Sequence, residues 1–328
     1  MNKVVLAPQG FKESLTGMEI AEAMSIGVKS IWPDAQTVLI PVADGGDGTL
    51  QALVDSSGGE VRTAMAEDAI GRTIEAEWGA LGNGTTAVIE VANAIGLARL
   101  EQEERDVRNA STFGVGQLFI EALDAGFSDF IIGVGGSATN DGGAGMIQAM
   151  GGKLTNANGD EIARGGIALS DLANIDVSGL DPRMVGANVV VACDVNNPLC
   201  GTRGASAVFG PQKGATYKDI QELDVALGNF AEIIAKDLHT DVAKIPGAGA
   251  SGGLGAGLMG FFDARLRLGA DIVLEALSLD KHLEDADLVI VGEGQFDRST
   301  VFNKSPVAVA QRAKRRGTPV IGIAGSLG

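Results

Sequence analysis

The sequence predicts an α/β protein of two domains, one of which is built from both ends of the chain. Residues 3–40 read as strand, helix and strand, a βαβ unit whose sheet should be parallel. The same texture returns near the C-terminus. Between them, short alternating runs at 60–91, separated by turn residues, indicate an antiparallel meander. We therefore expect a Rossmann-like domain of residues 1–68 plus 285–328, and an inserted mixed α/β domain of residues 69–284.

Local signals support the individual elements. Thr16 begins a capping box for the first helix. A long amphipathic helix is expected over 216–238, because its apolar residues recur on one stripe. Apolar runs at 153–154 and 188–192 are expected to continue the sheet of the middle domain. The stretch 201–214 is expected to be a long loop, and such loops are usually functional or mobile.

Composition excludes several classes of function. The chain of 328 residues has 42 acidic and 25 basic residues and a formal net charge of −17. We therefore expect no nucleic-acid binding, which needs a basic surface. No apolar run approaches the roughly 20 residues of a membrane span, and the first residues lead straight into a strand, so a cytoplasmic protein without a signal peptide is expected.

Cysteine and histidine chemistry is also not expected. Cys193 and Cys200 do not have a zinc-site spacing, and they are expected to be free thiols that pack as small residues. His239 falls late in a predicted surface helix and His282 in a charged segment, so both are expected to be solvated. A histidine-based catalytic triad is therefore not expected.

The stretch Gly133–Gly145 is the strongest candidate for binding an anionic group. It follows a strand-like run and leads into a predicted helix. Glycines let the backbone approach a ligand, and the first N–H groups of a helix lack internal partners and carry partial positive charge. A glycine-rich turn capped by Asp or Asn is the alternative. The polar side chains of the stretch can bind phosphate oxygens, a substrate or a magnesium ion: Ser137, Thr139, Asn140 and Asp141.

Charged side chains also follow other predicted strands, and ligands of parallel sheets bind at the carboxyl ends of strands. Asp44 and Asp47 lie among glycines after the second strand, which suits magnesium or hydroxyl binding, although a helix N-cap explains them as well. Lys12, after the first strand, can bind a phosphate, and a solvated surface lysine is the alternative. Asp194 ends an apolar strand and precedes Asn196, an amide suited to orienting a partner; its alternative role is to cap backbone N–H groups.

Two further stretches complete the candidates. Pro246–Gly260 is expected to be a helix start whose small residues let a ligand or another backbone approach, and a close helix–helix contact is an equally good account. Glu293 and Asp297 follow the predicted strand that ends at Val291, and Lys304 precedes a helix, where it can meet a phosphoryl group.

Several distinct blocks of sequence are distributed over essentially the whole chain, and together they are far more specific than a single glycine motif. They are Ala7 through Leu15, Pro41 through Thr49, Gly135 through Gly143, Asp194 through Leu199, Gly204 through Gly214, Gly252 through Gly255, and Gly292 through Gly294 with Asp297 and Lys304. In this order they resemble the bacterial glycerate kinase family, of the glycerate 2-kinase type.

The resemblance implies an enzyme that phosphorylates D-glycerate with ATP and Mg²⁺, and it favours 2-phosphoglycerate over 3-phosphoglycerate as the product. It implies a two-domain α/β fold with the active site in the cleft between the domains. A homodimer is among the assemblies considered. Phosphoryl transfer needs positioning and charge neutralisation more than covalent chemistry, and the glycine loops, lysines and strand-end carboxylates of this chain suit it.

Residues and resemblance together give a set of expected roles. Catalytic roles are expected for Asp194, as the acceptor of the hydroxyl proton, Lys12 and Asp297. Binding of the nucleotide or its phosphates is expected for Gly135, Gly136, Ser137, Thr139, Asn140 and Lys304. Substrate binding is expected for Asp44, Asn196, Ser251 and Gly253. Metal binding is expected for Asp47, Asp141 and Glu293.

This chain departs from the family pattern at three places. Gln9-Gly10 stands where the family usually has Asp-Ser, which removes a carboxylate from the first loop. Gln295 stands where the family usually has arginine. The chain also ends some tens of residues earlier than family members, so a final strand and helix of the family are expected to be absent from it.

Two other classes of function stay open at the level of sequence. One is a non-catalytic protein that binds a nucleotide or a small acid, against which the hydrophilic loops at several strand ends argue. The other is an NAD-dependent oxidoreductase, which needs a dinucleotide fingerprint after a strand. The glycine triplets at 247–252 and 255–260 have the spacing, but neither follows a convincing strand.

Overall fold

The computed structural model describes most of the chain, namely residues 1–11, 14–43, 48–296 and 305–328. Contacts group the chain into two compact units. Unit 1 comprises Met1–Gly59 and Leu268–Gly328, and unit 2 comprises Glu60–Arg267.

In the described residues, the elements run in the following order. The strands are β1 Lys3–Pro8, β2 Gln36–Leu39, β3 Glu60–Glu67, β4 Thr73–Ala80, β5 Thr86–Glu90, β6 Asp129–Gly133, β7 Lys153–Thr155, β8 Asn174–Asp176, β9 Asn188–Ala192, β10 Arg265–Arg267, β11 Leu288–Phe296 and β12 Val320–Leu327. The α-helices are α1 Gly17–Ile31, α2 Thr49–Ser57, α3 Ala92–Ile95, α4 Phe113–Asp124, α5 Ala144–Ala149, α6 Ala205–Phe209, α7 Tyr217–Leu238, α8 Ala250–Phe262, α9 Gly269–Ala276, α10 Leu279–His282 and α11 Ser305–Arg315.

The sheet of unit 1 joins the two ends of the chain. Its strand order is β12-β11-β1-β2, and every pairing is parallel. The predicted βαβ unit is confirmed, including the capping box of Thr16 and Glu19 at the start of α1. Val4 and Leu6 of β1 pack with Ile290 of β11 in one apolar cluster. The expectation that both chain ends share one parallel sheet is therefore confirmed.

One strand of unit 1 is longer than expected. The predicted strand stops at Val291, but β11 continues to Phe296 because β12 pairs with it along this extra length. Glu293 therefore lies within the strand, opposite Ala324 of β12, and only 8% of it is exposed. The expectation that Glu293 stands in a strand-end loop is wrong.

Unit 2 is built on a mixed sheet with strand order β10-β9-β6-β5-β4-β3 among the described residues. The meander β3-β4-β5 is antiparallel, as expected, whereas β5, β6, β9 and β10 pair in parallel. Helix α4 packs on this sheet, with Phe119 tilted against Phe130 of β6 at 4.8 Å between ring centroids. Aromatic and aliphatic side chains of the helix and the sheet thus share one buried core.

Two expectations for the middle of the chain need correction. Lys153-Leu154 does not continue the main sheet, because β7 pairs with β8 in a separate two-stranded sheet. The stretch 201–214 is not one long loop, since it contains α6 and a 3₁₀ turn at Pro211–Lys213. Both elements are too short for hydrophobic periodicity to reveal them.

The expected domain boundaries lay at residues 68 and 285, whereas the contact-based units divide at Glu60 and Leu268. Strand β3 groups with unit 2 because it pairs with β4 along its whole length. Helix α9 groups with unit 1 because it packs against α2 and α11. The assignment of two domains stays a prediction.

No helix in the described part of the chain is long and apolar enough to cross a membrane. Cys193 and Cys200 are both free thiols. Burial raises the pKa of Cys193, and it raises that of Cys200 to about 12, so both thiols stay protonated at neutral pH.

Candidate active site

The glycine-rich loop after β6 is shaped by contacts with the segment after α3. Leu97 donates its N–H to the carbonyl of Gly136 at 2.8 Å, and Ala138 donates to Ile95 at 2.8 Å. Gly136 has φ of 70°, a conformation that favours glycine. Gly135 and Gly136 are exposed, whereas Ser137 is buried. The loop therefore offers glycine backbone to solvent at its beginning and turns its polar side chains inward.

Asp141 is used inside the protein. It is fully buried, and its Oδ2 accepts hydrogen bonds from the N–H and Oγ1 of Thr112 at 2.8 and 2.9 Å. Gly143 donates to Oδ1 at 3.2 Å and Gly145 to Oδ2 at 3.3 Å. Burial raises the pKa of Asp141, while these hydrogen bonds act to lower it. Both oxygens thus accept hydrogen bonds from the protein, which accounts for this buried carboxylate without a metal ion, and the role of Asp141 as a metal ligand stays a prediction.

The start of α5 is likewise occupied. Ala144 donates to the carbonyl of Asp141 at 2.9 Å, and Met146 donates to Thr112 Oγ1 at 2.9 Å. With Gly143 and Gly145 bonded to the Asp141 carboxylate, the first N–H groups have partners. The expectation that the first N–H groups of this helix lack internal partners is therefore wrong, because the carboxylate of Asp141 and the hydroxyl group of Thr112 bind them. The capped turn, the alternative considered from sequence, describes this end of the loop.

A positive charge at the glycine-rich loop comes from Lys213, which is not among the site residues expected from the sequence. Lys213 is only 2% exposed, and its Nζ donates to Ser137 Oγ at 3.1 Å and to the carbonyl of Thr139 at 2.6 Å. Burial lowers the pKa of Lys213 to about 7, and the nearby Asp141 carboxylate raises it. The sequence signal was a lysine that precedes Gly214, inside a block shared with the family, but nothing in it reveals that the side chain is buried.

Several buried polar atoms lie at the same place without a hydrogen-bond partner among the described residues. They are Thr139 Oγ1, Asn140 Oδ1 and Ser251 Oγ. The Asn140 amide nitrogen donates to Ser206 Oγ at 2.9 Å, so only its oxygen lacks a partner. An unpaired buried polar group costs about 1–3 kcal/mol. Such a cluster is typical of a site completed by a ligand or by water.

The start of α8 contacts this cluster through an unusual backbone. Ser251, Gly252 and Gly253 all have left-handed conformations, with φ of 54°, 67° and 90°. Gly142 donates its N–H to the carbonyl of Gly252 at 3.0 Å. A Cβ atom at Gly252 would overlap the carbonyl oxygen of Thr139. Ser251 and Gly253, expected to bind substrate, thus lie in a turn packed directly on the glycine-rich loop.

The carboxyl end of β9 lies beside the same loop. Gly133 of β6 pairs in parallel with Ala192 of β9, so the loops that follow both strands leave the sheet at one edge. Asp194 and Asn196 are exposed in the second of these loops, and the Asn196 side-chain oxygen accepts from Arg203 at 3.4 Å. The structure therefore brings Asp194 and Gly135 to one sheet edge, as sequence reasoning expected.

Comparison with known proteins decides the family. The model of the glycerate kinase family matches residues 4–328. The chain is 52% identical over 328 residues to a glycerate kinase of Halalkalibacterium halodurans, covering 100% of this chain and 86% of the relative. It is 51% identical over 325 residues to the glycerate 2-kinase of Escherichia coli, covering 99% and 85%. The chain belongs to the glycerate kinase family.

A solved structure supports the same conclusion at the level of fold. It is assigned to a glycerate kinase 2 of Salmonella typhimurium LT2 and matches with a TM-score of 0.95 and 48% identity. The match covers 100% of this chain and 90% of that one. The resemblance inferred from sequence blocks, and the α/β fold with parallel and mixed sheets, are therefore confirmed.

Five residues expected in the site of this kinase-family chain lie outside the described part of the structure: Lys12, Asp44, Asp47, Asp297 and Lys304. Within the described ranges, no group of three or more His, Cys, Asp or Glu side chains is arranged to hold a metal ion.

Unit 1 has a cavity of its own at the carboxyl ends of β1 and β2. Its volume is about 740 Å³, within the range of small-molecule sites. Apolar residues such as Phe11, Leu15 and Pro41 line it together with Gln9 and Gln51. The Gln9 side-chain oxygen is buried and has no partner among the described residues. Gln9, one of the departures from the family pattern, therefore faces a place where a ligand would fit.

Proposed function

We propose that the protein transfers the γ-phosphoryl group of ATP to D-glycerate and that 2-phosphoglycerate is the product. The observation that carries this proposal is the 51% identity with the E. coli glycerate 2-kinase across 99% of the chain. The glycine-rich loop adds physical support, because exposed glycine backbone backed by a buried lysine suits a phosphoryl group.

The proposed roles divide among the loops that follow β6 and β9 and the turn at the start of α8. Gly135 and Gly136 would approach phosphate oxygens with their backbone, and Ser137, Thr139 and Asn140 would supply side-chain contacts. Asp194 would accept the proton of the attacking hydroxyl, with Asn196 beside it. Ser251 and Gly253 would contact substrate. Support for these roles is their placement at adjacent strand ends and the unpartnered atoms of Thr139, Asn140 and Ser251.

Other roles keep the status of predictions. Lys12, Asp297, Lys304 and Asp44 would complete the catalytic and binding groups, and Asp47 and Glu293 would be the metal ligands. Mg²⁺ would accompany ATP and neutralise its phosphate charge. A cytoplasmic location and a homodimer likewise stay predictions.

Product analysis tests the activity directly. The protein is incubated with ATP, Mg²⁺ and D-glycerate, and the product is identified by phosphorus NMR. We expect ADP and a single new resonance that matches 2-phosphoglycerate. L-Glycerate and a reaction without acceptor serve as controls. Formation of 3-phosphoglycerate would correct the site of transfer, and absence of ADP with any acceptor would contradict the proposal.

Asp194→Asn tests the proposed base. The change keeps the shape of the side chain and removes its charge, so kcat should fall about a hundredfold or more while ATP affinity stays near that of the wild type. Asp34→Asn is the matched control, because Asp34 is an exposed carboxylate in the turn before β2. Normal turnover by Asp194→Asn would end the assignment, and loss of ATP binding would instead indicate that Asp194 is a metal ligand.

A further inference from the structure

Lys213 is a buried cation that forms no ion pair with a carboxylate of the described residues. Among the residues that the structure describes, no carboxylate lies within ion-pair distance of its ammonium group. Its hydrogen-bond acceptors are neutral: Ser137 Oγ and the carbonyl oxygen of Thr139. A buried ammonium without an opposite charge is costly, so such groups are usually paired.

The charged groups around Lys213 explain why the charge is left over. Asp141 is the carboxylate that raises its pKa, but the Asp141 oxygens are bonded to Thr112, Gly143 and Gly145. On the other side, Arg105 donates to the carbonyl of Gln212 at 3.2 Å and brings a second positive charge near the same turn. Two positively charged side chains, Lys213 and Arg105, therefore contact this part of the molecule, and the carboxylate of Asp141 is bonded to other partners.

We propose that Lys213 is a positioning residue for an anionic substrate group, which it serves by orienting Ser137 and Thr139 of the glycine-rich loop. The group is either a phosphoryl group of the nucleotide or the carboxylate of glycerate, and both present anionic oxygens. The proposal rests on the proposed function and extends it to a residue that neither the sequence roles nor the family name assigns.

The hydrogen-bond geometry says how Lys213 acts. Because Ser137 Oγ accepts a hydrogen bond from the ammonium, its own O–H must point elsewhere and is polarised as a donor. The Thr139 carbonyl, held by the same ammonium at 2.6 Å, fixes the backbone that carries Thr139 and Asn140. Arrival of an anion would supply the missing countercharge and favour the protonated lysine.

This coupling predicts a pH dependence with a definite sign. The pKa of Lys213 is lowered to about 7, so the amine is charged below this pH and loses its proton above it. Binding of the anionic substrate should therefore weaken as pH rises past 7, with KM increasing up to about tenfold per pH unit. Arginine at this position stays charged over the whole range and should flatten this part of the profile.

Lys213→Met, Lys213→Arg and the control Lys244→Met test the inference, since Lys244 is exposed in the same unit. KM for ATP and KM for D-glycerate are measured at pH 6.5 and 8.5. We expect Lys213→Met to raise one of the two KM values at least about tenfold at pH 6.5, and the substrate affected identifies the anion. Because phosphate groups of ATP also titrate near neutral pH, the KM of each variant is compared with that of the wild type at the same pH.

In the wild type, the KM that Lys213→Met raises should increase between pH 6.5 and 8.5. Lys213→Arg should show a smaller increase over this range, and it should recover part of the affinity that Lys213→Met loses. Equal KM values for wild type and Lys213→Met, with parallel pH profiles, would overturn the proposal. If Lys213→Met fails to fold by circular dichroism, the comparison of wild type with Lys213→Arg decides by the same criterion.

A binding measurement separates this inference from the proposed function. Thermal shift by ATP without acceptor, and by D-glycerate without nucleotide, is recorded for wild type and variants at both pH values. If the wild type does not turn over glycerate, the proposed function fails. The inference then stands if a shift depends on Lys213 and pH as described, and it fails if neither ligand distinguishes the wild type from Lys213→Met.

Discussion

Two glycine-rich stretches of unit 2 look alike in composition and differ in what their glycines do. In Gly133–Gly145, the exposed Gly135 and Gly136 precede inward-pointing polar side chains. In Gly247–Gly260, the helix is buried and apolar around its glycines. The first stretch has the chemistry of a binding loop, and the second has the chemistry of a packing surface.

The second stretch needs glycine because another backbone occupies the space of a side chain. Cβ atoms at Gly252 and Gly257 would overlap the carbonyl oxygens of Thr139 and Gly142 of the first stretch. A Cβ atom at Gly255 would overlap the carbonyl of Gly247. Of the accounts open from sequence, approach of another backbone is thus the one observed, and the partner is the glycine-rich loop rather than a second helix. Glycine content alone therefore does not reveal a ligand.

Gly252→Ala should break this contact and give the largest effect. The added methyl group meets the Thr139 carbonyl, which is fixed by Lys213, and Gly252 has a left-handed φ of 67° that alanine disfavours. We expect a loss of about 4 kcal/mol or more in the free energy of unfolding, measured by urea denaturation.

Gly228→Ala is the control for this change. Gly228 lies inside α7, and a Cβ atom there would meet no atom within 4 Å. Alanine should therefore stabilise the helix by about 0.5–1 kcal/mol. If the two variants lose similar stability, the close backbone contact is not what requires glycine at 252.

Asp141→Asn separates an internal cap from a metal ligand. The amide keeps one acceptor but places an NH₂ group against N–H and hydroxyl donors of Thr112, Gly143 or Gly145. Stability should fall by about 2 kcal/mol, because a buried donor is left unpaired. Raising the Mg²⁺ concentration should not restore kcat.

Asp106→Asn is the matched change, since Asp106 also accepts backbone N–H groups, of Arg108 and Asn109, but is exposed. It should alter stability by less than about 0.5 kcal/mol. Full recovery of Asp141→Asn activity at high Mg²⁺, with unchanged stability, would return Asp141 to the metal site.

Sequence reasoning succeeded where the signal is local. The βαβ unit, the meander, the capping box at Thr16 and the long amphipathic helix that begins after Thr216 are each contained in a short window, and all four are confirmed. The candidate loops were also found, because glycines and polar residues at strand ends are visible in order along the chain. The division of the chain into two domains could be expected but stays a prediction.

What the sequence could not reveal depends on contacts between distant residues. Asp141 is taken up by Thr112, 29 positions earlier, and Lys213 reaches Ser137 across 76 positions. Asp141 and Lys213 would have different roles if their side chains were exposed. Their burial depends on tertiary packing, which the local sequence does not show. The extension of β11 likewise follows from the register of β12 rather than from its own residues.

The smallest change in stability is expected at Ser251, at the start of α8, where the second glycine-rich stretch packs on the first. It is the non-glycine residue of the left-handed turn, with φ of 54°, and its Oγ is buried without a partner among the described residues. Both features cost stability, so Ser251→Gly should raise the free energy of unfolding by about 1 kcal/mol. If Ser251 contacts substrate as proposed, kcat/KM should fall about tenfold in the same variant.

Two further variants separate backbone strain from the hydroxyl group. Ser251→Ala keeps the strained backbone and removes Oγ. It should therefore lose as much activity as Ser251→Gly, but its change in the free energy of unfolding should differ from that of Ser251→Gly. His239→Gly relieves an equivalent left-handed residue, with φ of 59°, at the exposed end of α7, and it should gain stability with unchanged kinetics. Should Ser251→Gly and Ser251→Ala both keep wild-type kcat/KM, the unusual turn serves packing of the glycine-rich loop alone, and the substrate contact must be sought at Thr139 and Asn140.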